Sequence, residues 1–291
     1  MKTKRSYLAP AQAGCLIRIK SATESFKPSE RAVADFVLQN PEQVMHMSIS
    51  EASQNIGVGE STIIRFCRVL GYKGYQDFKL RLAQDLVEPV HHIHENVSFG
   101  DGAKDLAHKV FQTNRQAVDD TMRSLDPEMV EVAAKVLAGA RRIDIYGVGY
   151  SSFTAHEAKW KLARMDLMVD AYGDAHLQAM AAALLKKGDV AIGVSHSGST
   201  TDVVDALAGA QRNGATTIAI TNYSPSPITR FADIVLLTAS PESPFGGEVL
   251  TSRIAQLCVI DVLSVSVAIT LGEKCLEFIE KTSEAVKKKL Y

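Results

Sequence analysis

From Asp126 onward, short apolar runs alternate with helical stretches, and few folds accommodate that rhythm. The runs are Ile143–Tyr146 (IDIY), Leu167–Val169, Val190–Val194 (VAIGV), Thr217–Ile220 (TIAI) and Ile234–Leu237 (IVLL). They have strand length and read as buried strands. Helical stretches at Phe153–Met165, Ala175–Leu185 and Val203–Arg212 lie between them. After the last run come a Pro-, Ser- and Gly-rich loop, Ser240–Gly247, and a long apolar helix from Ser252 to about Leu271. Strands joined through helices form right-handed βαβ units, so this region is expected to be a three-layer αβα sandwich around a parallel sheet.

The N-terminal part follows another period. From about Leu16 to Pro89 the pattern is helical with short breaks and no strand-like alternation. A helix from Ser29 places Val33, Phe36 and Val37 on one face and ends near Asn40-Pro41. Ser48–Ile56 and Glu60–Leu70 come next, separated by Gly57-Val58-Gly59, and a further helix runs from about Tyr75 to Val87. The stretch that follows is polar and Gly-containing, with His91, His92 and His94 near its start. Without a nearby carboxylate pair these histidines read as surface and not as a metal site. A helix over Lys104–Leu125 bridges the two parts or packs on the second. The expected organisation is an all-α domain over residues 1–88, a linker and connecting helix over 89–125, and an α/β domain over 126–291.

Composition sets the outer limits. With 46% hydrophobic and 22% charged residues in 291, the chain has the make-up of a globular protein of two ordinary domains. Cys15, Cys67, Cys258 and Cys275 form no CxxC pair, so neither a zinc site nor a disulfide framework is expected. No run of about 18 apolar residues and no signal-peptide pattern is read, which points to the cytoplasm and to no membrane partner.

A net charge of −1 says nothing for nucleic acid, but its distribution does. Between Ser61 and Leu82, Arg65, Arg68, Lys73, Lys79 and Arg81 accompany a single acid, Asp77. A local basic face on a neutral chain suits one module that touches phosphates, although a solvated helix face has the same composition. The same region reads as helix, short turn, helix, with Ala52 permitting close packing and Ile56 and Val58 filling the angle. Ile64 and Cys67 are expected to line the inner side of the second helix. Glu60, Ser61, Thr62 and Arg65 then stand at its exposed N-terminal end, where base and phosphate contacts are made. Arg65 is the candidate for a bidentate contact to guanine, and Arg68 and Lys73 for backbone positioning.

Two loops carry the chemistry of the second region, each between a strand and a helix. They are Gly147-Val148-Gly149-Tyr150-Ser151-Ser152 and Ser195-His196-Ser197-Gly198-Ser199-Thr200. Helix N-termini at the carboxyl ends of parallel strands present free N–H groups and a positive dipole end. Glycine allows close backbone approach, and hydroxyls add donors. Ser151, Ser195, Ser197 and Thr200 are placed to meet a phosphate, with ordinary helix capping as the alternative for each loop. The first loop also half-matches a dinucleotide fingerprint with Asp170 about twenty residues on, but its third glycine is replaced by Ser152.

The stretch STIIRFCRVLGYKGYQDFKLRLAQ, Ser61–Gln84, resembles the RpiR family of bacterial regulators, and Ser29–Ala34 and Ser50–Ala52 fit the same pattern. One departure is Gly59, where the family often carries an N-cap serine; glycine there costs about a few tenths of a kcal/mol. Ser195, Ser197, Gly198 and Thr200 match the S-x-S-G-x-T of the sugar isomerase (SIS) domain, and Asp174–Gln178 and Ser252–Leu263 are similar to it as well. The resemblance implies a helix-turn-helix domain followed by a SIS domain. It implies transcriptional control of sugar catabolism, homodimers or homotetramers, and a phosphorylated sugar or sugar acid as effector, and two-fold pairing then predicts an inverted-repeat double-stranded DNA operator. The effector-binding residues so expected are Gly149, Ser151, Ser152, His176, Ser195, His196, Ser197, Gly198, Ser199 and Thr200. Within the family the chain looks closest to the HexR branch, which points to a hexose-derived acid phosphate, with amino-sugar phosphates equally open. SIS domains also occur in aldose–ketose isomerases. Here His176, His196 and Glu248 are the possible acid and base, but no spacing gathers them, so binding without turnover is expected, with no cofactor and no metal.

Overall fold

The computed structural model describes residues 14–87, 97, 100–240, 249–287 and 289. The histidines at 91, 92 and 94, Glu248 and most of the Ser240–Gly247 loop lie outside the described residues.

The N-terminal unit is all helical: α1 (Cys15–Ser21), α2 (Pro28–Gln39), α3 (Pro41–His46), α4 (Ile49–Ile56), α5 (Glu60–Val69) and α6 (Tyr75–Val87). Its punctuation is local chemistry. Pro28 and Pro41 open α2 and α3 at a position whose N–H would have no helical partner. Ser48 and Glu51 close a capping box on α4, the Ser48 hydroxyl accepting from the Glu51 N–H at 3.2 Å and the Glu51 carboxylate from the Ser48 N–H at 2.7 Å. The core is aromatic. Phe66 lies 5.2 Å from Phe26 and 5.8 Å from Phe78, ring centre to ring centre, and Tyr72 meets Phe78 edge-on at 5.6 Å. The inner face of α5 is Ile63, Phe66 and Cys67, continued by Leu70, while Ile64 is only half-buried. The expectation for Ile64 was one position off, because the 3, 4, 7 spacing from Ile63 fits a helix stripe better. Helices α1 and α3 were not separated in the sequence reading, being too short to show a period.

The second unit begins with α7 (Ala103–Ser124) and α8 (Pro127–Ala138), the latter capped by the Asp126 carboxylate. Strands β1 (Ile143–Tyr146), β2 (Val169–Tyr172), β3 (Val190–Val194), β4 (Thr216–Thr221) and β5 (Ile234–Leu237) then alternate with α9 (Tyr150–Ala163), α10 (Ala175–Leu184) and α11 (Thr201–Arg212). All pairings are parallel and the order is β2-β1-β3-β4-β5. The chain ends in α12 (Val249–Leu271) and α13 (Glu273–Lys287). One sheet face, with Ile145, Ile192, Ile218 and Leu236, packs on Leu137, Leu162 and Leu263 of α8, α9 and α12. The other, with Tyr146, Ala191, Ala219 and Val235, packs on Ala181 and Leu207 of α10 and α11. This is the expected α/β sandwich.

Strand β2 sits two residues later than read. It is an edge strand, half-buried throughout, and its Asp170 and Tyr172 dilute the apolar signal. Against the expectation of no such run, α12 over Thr251–Leu271 is long and apolar enough to cross a membrane, with mean hydropathy 2.1, although Arg253 and Asp261 lie within it. Here it lies along α7, α8 and α9, with Ala255, Val259, Leu263 and Val267 buried. The four cysteines are free, and burial pushes the Cys15 and Cys67 thiols up to about 12.

Ile192 stands at the centre of the sheet with no exposed surface. Ile192→Ala should therefore lower the unfolding free energy of the sandwich by about 2–5 kcal/mol in chemical denaturation.

Candidate functional site

Strand order reverses between β1 and β3: from β1 the chain turns outward to β2, and from β3 the other way to β4 and β5. At such a switch point the two following helices lie on opposite faces of the sheet and a crevice opens at the strand carboxyl ends. The two hydroxyl-rich loops leave β1 and β3 at that edge. They are neighbours because Tyr146 is paired with Gly193 in the register.

Neither loop caps its own helix with a side chain. Gly149 precedes α9 and Thr200 precedes α11, and neither makes a side-chain cap bond. By contrast α10 on the same edge is capped by Asp174, whose carboxylate accepts from the Leu177 N–H at 3.0 Å. Two helix N-termini thus keep donors available where an anion would sit. Ordinary capping, the alternative for these serines, does not describe their bonds.

The hydroxyls divide into two groups. Ser195 is buried and builds its loop, accepting from the Gly198 N–H at 3.1 Å and pairing with the Thr200 hydroxyl at 3.0 Å. Ser197 is half-buried and Ser199 exposed, and they bond to each other's backbone. Gly198 has φ +64 and lies so close to Ser226 that a Cβ would fall 2.2 Å from its hydroxyl. His196 is buried edge-on against Tyr223 at 5.5 Å, so its ring is a wall of the loop. In the first loop a Cβ on Gly147 would stand 2.6 Å from the Ser151 carbonyl, which is how α9 starts at Tyr150 and takes Ser151 and Ser152 into its first turn. The Ser152 hydroxyl donates to the Gly149 carbonyl at 2.7 Å. His176 is exposed on α10, and among the described residues no hydrogen bond ties it to either loop.

Two buried glutamines went unassigned in the sequence. Gln178 donates to the Tyr172 carbonyl at 2.9 Å and the Gly147 carbonyl at 3.4 Å, tying the ends of β2 and β1 together. Gln256 on α12 accepts from Thr154 at 2.9 Å and reaches the Ser151 hydroxyl at 3.5 Å. An amide buried in an otherwise apolar helix was the available signal. Asp170, the acid of the dinucleotide alternative, is taken by Lys159 at 2.7 Å, whose hydrogen bond holds its carboxyl below the ordinary range.

In the helical unit, α4 and α5 form the expected helix-turn-helix. Ser61, Arg68 and Lys73 are exposed and Thr62 half-buried. Glu60 accepts from Ser50 at 2.5 Å, which joins the start of α5 to α4. Arg65 is less free than expected: its Nε donates to Glu30 of α2 at 2.6 Å, although half of the side chain remains exposed. Lys79 donates to the Met47 carbonyl at 2.7 Å and so leaves the basic face. Among the described residues, Arg68 and Lys73 are exposed cations of that face.

Comparison with known proteins accounts for both units. Residues 13–89 match the helix-turn-helix domain of the rpiR family, and residues 136–266 match the SIS domain. An HTH-type transcriptional regulator of Caldanaerobacter subterraneus subsp. tengcongensis is 39% identical over 92% of this chain and 95% of its own. The chain belongs to the RpiR family of HTH-type transcriptional regulators. The Vibrio vulnificus NanR protein, solved in complex with ManNAc-6P, superposes with TM-score 0.62 at 29% identity, over 95% of this chain and 99% of that one. The sugar isomerase domain of an RpiR transcription factor from Sphaerobacter thermophilus aligns at 26% identity and TM-score 0.57, covering 62% of this chain and 99% of its own. Membership of a family of regulators, together with the helix-turn-helix unit, sets the isomerase alternative aside.

The Arg65–Glu30 pair carries a pH test. Burial pushes the Glu30 carboxyl up, but the Lys27 N–H and Arg65 outweigh it and leave it below the ordinary value. A lowered folded pKa means stability that is fully present above the unfolded value, about 4.3, and lost as pH falls through the folded one. Glu30→Gln should flatten that acid limb of a circular-dichroism stability profile.

Proposed function

We propose that this regulator grips its operator through α5 and that its grip changes when a phosphorylated sugar or sugar acid enters the crevice between residues 147–152 and 195–200. The observation that carries the reading is the pair of helix N-termini at the β1/β3 switch point, both without a side-chain cap. Backbone N–H groups and neutral hydroxyls hold a phosphate reversibly, as an effector site requires. Ser197, Ser199, Thr200 and the first turn of α9 are the proposed phosphate contacts. Ser195, Gly198 and His196 shape the loop, and Gly149, Ser151 and Ser152 form the opposite wall. Exposed His176 stands at the mouth, in the first turn of α10, the helix that follows the strand next to β1. The NanR relative in complex with ManNAc-6P supports a phosphorylated amino sugar as one candidate class. The likeness to the HexR branch supports a sugar-acid phosphate as the other.

In the head, Ser61 and Thr62 face the groove, Arg68 and Lys73 bind backbone phosphates, and Arg65 reads a base while braced on Glu30. Phe153 and Trp160 of α9 and Val265 and Ile269 of α12 are all more than half exposed, on helices that pack side by side. That apolar surface supports a homodimer or homotetramer, whose two-fold axis calls for an inverted-repeat operator. We take residues 1–88 as the reading head, 89–125 as the connection and 126–291 as the sensor, working in the cytoplasm on chromosomal DNA.

A thermal-shift screen against hexose, amino-sugar and sugar-acid phosphates tests the sensor. One class should raise the melting point, at about 2.7 kcal/mol of added stability when the ligand is at 100 times its dissociation constant. No shift with any of them would end this reading. The variant pair separates the modules. Ser197→Ala with Thr200→Ala should remove that shift and leave operator binding intact. Arg68→Ala with Lys73→Ala should weaken operator binding, reduce its salt slope by about 1 per lost phosphate contact, and keep the shift.

A further inference from the structure

We infer that the segment Asn222–Ser226 is the mechanical link through which the 195–200 loop reaches the DNA-reading head. The inference rests on the effector reading above, but its test does not need an effector.

On the crevice side the segment is bonded to the loop backbone. The His196 carbonyl accepts from the Asn222 N–H at 3.0 Å and from the Thr221 hydroxyl at 3.1 Å, and the Gly198 carbonyl accepts from the Ile228 N–H at 2.9 Å. Ser226 is pressed against Gly198, and its own buried hydroxyl has no hydrogen-bond partner among the described residues. An unmet buried hydroxyl disfavours the packing that contains it, which keeps a second arrangement of this contact within reach.

On the head side the Ser224 N–H donates to the carbonyl of Ser21, the last residue of α1, at 2.7 Å. Helix α1 is in turn locked to the recognition helix. The Arg18 guanidinium donates to the Leu70 carbonyl at the C-cap of α5 and lies 4.8 Å over the Tyr72 ring. The Leu16 N–H donates to Asp85 of α6 at 2.9 Å. A small cavity of about 20 Å³, lined by Ile17, Lys20, Ser21, Asp120, Asn222 and Ser240, adjoins this contact. A displacement of the loop therefore passes through Ser226 and Ser224 to α1, and from α1 to the end of α5. In the first loop, by contrast, a Cβ on Gly149 would meet nothing within 4 Å among the described residues.

The two loop glycines make the test. Both have positive φ, so alanine strains either backbone, but only at Gly198 does the new Cβ strike Ser226. In hydrogen exchange of the full chain without ligand, Gly198→Ala should speed exchange of the 15–26 and 222–226 amides about tenfold, the loss expected for one undocked hydrogen bond and its cover. The amides of 143–146 and 259–267 should stay protected. Gly149→Ala should leave 15–26 at the wild-type rate, and adding Ser226→Gly to Gly198→Ala should restore much of the protection. If Gly198→Ala does not fold, Ser226→Thr applies the same push more gently and is read the same way. A folded Gly198→Ala or Ser226→Thr protein with wild-type exchange at 15–26, or an equal effect from Gly149→Ala, overturns the link. ManNAc-6P and a sugar-acid phosphate tested in parallel separate the two readings. If neither binds, the sensor reading fails while the exchange result stands. If one alters operator binding yet the exchange result is negative, the sensor stands and the link fails.

Discussion

The reversal of strand order between β1 and β3 is the constraint from which the rest follows. A parallel sheet wound in one direction would send successive helices to the same face and leave no crevice. Because β2 lies on one side of β1 and β4 on the far side of β3, α9 and α11 leave the same edge toward opposite layers. Their N-termini end up beside each other with the donors of their first turns free of side-chain caps. The buried apolar strands make the sheet, and the winding of that sheet makes the site.

Among the described residues, the candidate site carries no Asp, Glu, Lys or Arg in its two loops. Its hydroxyls are arranged in depth: Ser195 and Thr200 fold the loop, while Ser197 and Ser199 lie nearer the surface. Gln178 and Gln256 stand behind, holding the ends of β1 and β2 and the first turn of α9. Supporting amides of this kind keep weak neutral donors in one geometry, which lets such donors discriminate without the tight hold of a cation cluster.

The recognition helix is held near its middle and at its end by charge-assisted bonds to other helices. Arg65 is fixed to Glu30 of α2, and the Leu70 carbonyl at the C-cap receives Arg18 of α1. A residue that braces a helix while exposing half of its side chain has less rotamer freedom left to lose in a further contact. The same bonds make the orientation of α5 depend on α1, and α1 touches the sensor.

Both fold classes were legible in the residues themselves. The runs at 143–146, 190–194 and 234–237 became β1, β3 and β5 at the expected bounds, and Tyr75–Val87 became α6, because central strands and amphipathic helices write their burial into local periodicity. The motifs Ser195–Thr200 and Ser61–Gln84 carried the family resemblance for the same reason: a turn and a helix face are local. Edge strand β2 and the stripe on α5 were misplaced where polar neighbours blurred the period. What the chain order alone left open was every relation between distant segments: Arg65 with Glu30, Gln256 with Ser151, and Ser21 with Ser224. Each joins groups whose partner is set by how layers pack, and a hydrogen bond across 35, 105 or 203 positions leaves no trace in the spacing of either residue.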